Sequence, residues 1–141
     1  MKTDPLRTYK ETQIKTATPS RLVVMLYDGA LKYLGLAMEA LGAHHQRYDR
    51  ASEYLIRTQD IITELMVSLD FDHGGEIARN LFNLYLWMNR ELLQGNISKN
   101  CAPLEQVKKM LTELRGVWAE VADKPGLESV PRAAGGVNIA G

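Results

Sequence analysis

Three histidines, one cysteine and a few neighbouring carboxylates are the side chains that could serve a metal site, a nucleophile or a general acid. Their spacing supports none of these roles. A di-iron bundle needs inward Glu-x-x-His pairs, and the sequence contains none. His44-His45 is a pair that could catch an ion, but it falls in a connection between helices and reads as solvated loop side chains. His73 precedes Glu76, the reverse of the ligand order, at a loop–helix junction. Cys101 has no local signature of a catalytic thiol. Asp60 and Glu64 lie one helical turn apart, yet on the face that Arg50, Glu53 and Arg57 mark as wet. Gly74-Gly75 is too short to cradle a phosphate, and no P-loop or GxGxxG occurs. No catalytic residue, cofactor site or metal site is expected, and the chain reads as a non-enzyme.

Composition narrows the partners. Seventeen Lys and Arg balance seventeen Asp and Glu, and no basic run exceeds Lys108-Lys109. Nucleic-acid binders carry a basic excess, at least locally, so no nucleic acid is expected. The longest unbroken apolar run is Leu22 to Tyr27, far short of a membrane span. Residues 1–17 are polar and lack the apolar core of a signal peptide. The lone Cys101 cannot form an internal disulfide, which fits a reducing compartment. These readings predict a soluble cytosolic protein without membrane insertion, and 141 residues predict one domain.

Four amphipathic helices would position these side chains. The first starts at Thr18-Pro19, a suitable cap followed by proline at the first helical position. Its charges Arg21, Asp28, Lys32 and Glu39 form one stripe between two apolar seams. Gly29 and Gly35 sit inside it, where a missing side chain would admit another helix closely. The second runs from about Asp49 to Leu69, with Ala51, Leu55, Ile62, Leu65 and Leu69 near heptad spacing and Glu53–Arg57 as an i,i+4 pair. Asp70 to Gly75 reads as a turn. The third helix spans Glu76 to Gln94. Asn96 to Ala102 reads as a second turn with Asn100 as cap. In the fourth helix Leu104, Val107, Leu111, Leu114, Trp118 and Val121 keep a seven-residue pattern. The fold class is all-α, an antiparallel up-and-down four-helix bundle. Residues 1–17 form a short N-terminal helical segment, 18–123 the bundle, and 124–141 a flexible tail rich in glycine and proline.

The third helix carries more apolar surface than such a bundle needs. Ile77, Ala78, Leu81, Phe82, Leu84, Tyr85, Leu86, Trp87, Met88, Leu92 and Leu93 leave it almost no polar face. A surface helix ordinarily shows one apolar stripe. The surplus must be covered by another helix, from this chain or from a partner, and a contiguous exposed apolar surface marks an interaction site.

Several segments resemble a known family: Tyr9 and Gln13; TATPSRLVVMLYDGALKYL at 16–34; ITELMVSLDFDHGGEIARNLFNLYLWMNRELLQGN at 62–96; and LRGVW at 114–118. Together they are similar to the FliS flagellar export chaperones, over roughly residues 9 to 122. The most specific pieces are LYDGA at 26–30 and the run from Ser68 to Tyr85. The resemblance implies a helical bundle that binds the C-terminal region of newly made flagellin along hydrophobic grooves. It implies that premature polymerisation is blocked and that the cargo is kept competent for the type III flagellar export apparatus. It also implies that the N-terminal segment covers part of the groove when cargo is absent. Leu55, Leu65, Leu81, Leu84, Met88, Leu111, Leu114 and Trp118 are expected to be structural. The expected groove residues are Leu22, Met25, Leu26, Tyr27, Phe82, Tyr85, Leu86 and Leu93, with Tyr9 and Ile14 as the cover. Asp28 matches the motif either as a cargo contact or as a local cap. The competing expectation is a helical homo-oligomer, structural or adaptor, that uses the extra faces for a homodimer without flagellin cargo.

Overall fold

A computed structural model describes residues 19–42 and 47–124, and every described element is helical. Helix α1 spans Pro19–Ala40, α2 Tyr48–Val67, α3 Phe71–Ser98 and α4 Cys101–Ala122. Each helix packs against two others, in the cyclic order α1, α2, α3, α4, so that α1 and α3 lie on one diagonal. The expected four-helix bundle is the observed architecture. The proposed cap Thr18, the His44-His45 connection and the segments 1–17 and 125–141 fall outside the described residues.

Apolar spacing fixes which face of each helix points inward. Val23, Val24, Tyr27, Leu34, Leu55, Ile62, Met88, Leu92, Leu104 and Leu111 form the centre of one contiguous core. Of the residues expected to be structural, Leu55, Leu65, Met88, Leu111 and Trp118 are buried, while Leu81, Leu84 and Leu114 pack against the core from its edge. Gly29 is a point of close approach: a Cβ there would stand 3.3 Å from Ile61 Cδ1 of α2. At Gly35 a Cβ would meet nothing within 4 Å, so close packing does not account for that glycine.

Two turns set the positions of α2, α3 and α4. Asp70 accepts from the His73 backbone N–H at 3.1 Å and its other carboxylate oxygen lies 2.7 Å from His73 Nδ1. These bonds hold the Asp70 carboxyl below its usual range, the His73 side-chain bond first. Gly75 then interrupts α3 with φ 51° and ψ −126°, a conformation that only glycine adopts without strain. The continuous helix therefore begins at Glu76, as expected, with a separate first turn before it.

The second turn is tighter than the sequence implied. Helix α3 continues to Ser98 and α4 begins at Cys101, which leaves only Lys99 and Asn100 between them. Lys99 takes the left-handed conformation at φ 54°, and Asn100 caps α4 by accepting from the Ala102 N–H at 2.9 Å. Gly95 makes the tight connection possible. A Cβ at that position would lie 2.7 Å from Leu104 Cδ2, so the missing side chain lets α4 start directly against α3.

Candidate partner-binding surface

Helix α3 turns one apolar seam inward and keeps a second outside. Ala78, Tyr85, Met88 and Leu92 are buried. Leu86, Leu93 and Ile97 remain 38%, 51% and 69% exposed. With half-buried Phe82 they follow i, i+4, i+11, i+15 spacing along one stripe. Of the surplus read from the sequence, Phe82, Leu86 and Leu93 lie on the flank of α3 that faces α2, whereas Ile77, 61% exposed, lies off this stripe.

Polar side chains between the two helices fix their register. Asn96 Nδ2 donates to Ser52 Oγ at 3.2 Å, Gln59 Nε2 donates to the Asn89 carbonyl at 3.2 Å, and Asn89 Nδ2 donates to Thr63 Oγ1 at 3.3 Å. Ser52 to Gln59 and Asn96 to Asn89 are matched seven-residue steps in antiparallel helices. The same register places Ile56, 50% exposed, level with Leu93, and Thr63 level with Leu86. At the turn end, Phe71 meets Phe82 edge-on with ring centroids 5.8 Å apart. The result is a strip of exposed apolar side chains along the hydrogen-bonded α2/α3 seam, the α2/α3 groove below. An amphipathic helix laid on it would bury its apolar face there.

The expected groove residues separate into three locations. Phe82, Leu86 and Leu93 lie on this groove. Leu22, Met25 and Leu26 are half-buried on α1, diagonal to α3, so the two sets do not line one groove. Tyr27 and Tyr85 are corrections: they are 0% and 2% exposed, in the core. A tyrosine is accommodated inside when its hydroxyl finds a partner, and these two hydroxyls meet across the diagonal at 2.6 Å. Burial pushes Tyr85 up to about 12 and Tyr27 well above its ordinary value. Tyr9 and Ile14 lie outside the described residues. Asp28 neither caps α1 nor faces the α2/α3 groove; it accepts from Arg115 Nε at 2.8 Å and ties α1 to α4.

Ile56 and Ile97 were missed, for identifiable reasons. Ile56 lies in sequence among Glu53, Arg57 and Asp60, the charged residues of the wet side, which mask it. Ile97 fell in a stretch read as a turn.

The remaining reactive side chains gain no catalytic environment. The Cys101 thiol is pushed up by burial and by the nearby Glu105 carboxylate, away from the reactive thiolate. Among the described residues no group of three or more His, Cys, Asp or Glu stands close enough to hold a metal ion. No helix among them is long and apolar enough to cross a membrane.

Comparison with known proteins agrees with this architecture. The family described as "Flagellar protein FliS" matches residues 2–125. The flagellar secretion chaperone FliS of Bacillus subtilis is 33% identical over 83% of this chain and 85% of its own length. That of Salmonella typhimurium is 32% identical over 84% and 87%, and that of Escherichia coli 32% identical over 86% and 88%. This four-helix bundle, matched over nearly its whole length by the family, belongs to the FliS flagellar secretion chaperones, a non-enzymatic family.

Proposed function

We propose that this chain binds the C-terminal region of newly made flagellin in the cytosol. It thereby prevents premature polymerisation and delivers the subunit to the type III flagellar export apparatus. The observation that carries this reading is the exposed stripe of Leu86, Leu93 and Ile97 on α3 beside Ile56 on α2. A cargo segment that folds as a helix on this groove loses ordering entropy on binding, so its affinity must come from a large apolar area. Leu22, Met25 and Leu26 form a second, half-buried apolar face on α1. Residues 1–17, with Tyr9 and Ile14, act as a cover of the cargo surface when cargo is absent.

The test mixes the purified protein with the C-terminal segment of a flagellin from the same organism. Circular dichroism and size exclusion are followed together. The reading expects added helicity in one co-eluting complex. Two separate peaks without helical gain would refute it, and a stable dimer that ignores flagellin would favour the homo-oligomer.

A further inference from the structure

The first turn of α3 is set apart from the helix it begins. Phe71 to Gly74 form a single helical turn, which the Gly74 N–H closes by donating to the Asp70 carbonyl at 2.7 Å. The Asp70 carboxylate fastens the same turn by accepting from the His73 N–H at 3.1 Å and standing 2.7 Å from His73 Nδ1. Gly75 follows at φ 51° and ψ −126°. A Cβ there would meet nothing within 4 Å, so the backbone angle, and not a lack of space, calls for glycine.

The break brings Phe71 onto Phe82. In an unbroken helix, residues eleven apart are separated by about 16 Å along the axis, beyond the reach of two phenylalanine rings. Here the ring centroids are 5.8 Å apart, so the turn bends toward the flank of α3 instead of prolonging the helix. Little else holds it there. Leu69 on one side packs against the core and Ala78 on the other is fully buried, whereas Phe71 and Ile77 between them join neither the core nor its packed edge. Phe71 is 45% exposed, and an open cleft of about 440 Å³ is lined by residues 67–72. The turn thus has fixed anchors, free space, a glycine pivot and a weak apolar latch. These are the attributes of an element that opens locally while the core stays folded.

We propose that residues 70–75 are a lid on the turn end of the α2/α3 strip. Asp70 and His73 keep the helical turn intact, Gly75 is its pivot, and Phe71 closes over Phe82 or swings off it. Closed, the lid ends the strip at a covered Phe82. Open, it adds the bare ring to Leu86, Leu93 and Ile97. The motion belongs to the free chain and stands whether or not flagellin is the partner. An edge-to-face ring pair biases such an equilibrium by about two- to tenfold, so the open form should hold roughly a tenth to a third of the molecules.

The test uses the fact that Phe71 and Phe82 are the two phenylalanines of the chain. In the full chain labelled with fluorophenylalanine, each ring gives its own fluorine NMR resonance, and exchange between microseconds and milliseconds appears as relaxation dispersion. The Phe82 resonance of the wild type is expected to show dispersion, and Phe71→Ala, which alters an exposed side chain outside the core, should abolish it. Gly75→Ala strains the closed form and should shift the ratio of open to closed by at least about fivefold toward open, moving the Phe82 resonance. Hydrogen exchange should find the Gly74 amide as protected in Phe71→Ala as in the wild type, because the turn pivots as a unit. A wild-type Phe82 resonance without dispersion, or one that Gly75→Ala leaves in place, overturns the lid. Loss of Gly74 protection in Phe71→Ala shows the turn melting instead of pivoting and overturns it as well.

Discussion

Replacing Tyr85 by Phe tests how the core tolerates two buried hydroxyls. The Tyr27 and Tyr85 oxygens are 2.6 Å apart in a core where neither residue is more than 2% exposed. Removing one partner leaves the other hydroxyl buried without it, at a cost of about 1–2 kcal/mol. For a domain of this size that lowers the unfolding midpoint by roughly 4–8 °C per kcal/mol. The double Phe variant should cost less than the sum of the singles, with a coupling of about 1 kcal/mol. The same pair sets an alkaline limit. Both tyrosines are neutral in the fold, and burial raises Tyr85 from 10.0 to about 12. The unfolded chain therefore ionises first. The stabilisation is fully present below pH 10 and is lost as pH rises from there toward 12. Urea unfolding followed by circular dichroism at neutral pH and across this window measures both effects. A neutral Tyr85→Phe, additive singles, or a double variant with the wild-type alkaline slope would refute the reasoning.

Two further perturbations separate conformation, space and charge. Gly75→Ala should destabilise by about 1–3 kcal/mol through backbone strain alone, since nothing lies within 4 Å of its Cβ position. Gly35→Ala, equally unobstructed but inside regular helix, should stabilise by up to about 1 kcal/mol; equal effects in thermal unfolding would contradict the distinction. Arg115→Ala breaks the 2.8 Å bond to Asp28, but both side chains are more than two-fifths exposed. Its cost should stay below about 1 kcal/mol and shrink with added salt, as measured by denaturant midpoints; a larger salt-independent loss would show that Arg115 packs rather than pairs.

The fold was legible because the four helices differ in pattern but agree in period. Leu104, Val107, Leu111 and Trp118 of α4 are buried as the seven-residue pattern requires, and Asn100 caps the helix as expected. The boundary between α3 and α4 was not legible. Asn96, Ser98 and Asn100 carry turn chemistry, whereas Gly95 and the left-handed Lys99 allow a two-residue connection that no local propensity announces. At the partner surface, sequence identified α3 as over-apolar but could not say which seam stays outside. Tyr27 and Tyr85 have the amphipathic character of interface residues, and only their mutual hydrogen bond across the diagonal reveals them as core. Leu22 and Leu26 were grouped with α3 because apolar type carries no information about which helices are neighbours. Ile56 was hidden by its charged sequence neighbours, although the register set by Gln59 and Asn89 puts it opposite Leu93.

The most direct test of the central claim is the affinity of the Leu86→Glu/Leu93→Glu variant for the flagellin C-terminal segment, measured by calorimetry beside its thermal unfolding. These leucines are 38% and 51% exposed, so the variant should unfold close to the wild-type temperature. Losing the apolar area still to be buried at two positions, and placing two carboxylates in the groove, should weaken binding by roughly 30-fold or more. A folded variant that binds flagellin as tightly as wild type would contradict the assignment of the α2/α3 groove as the cargo surface.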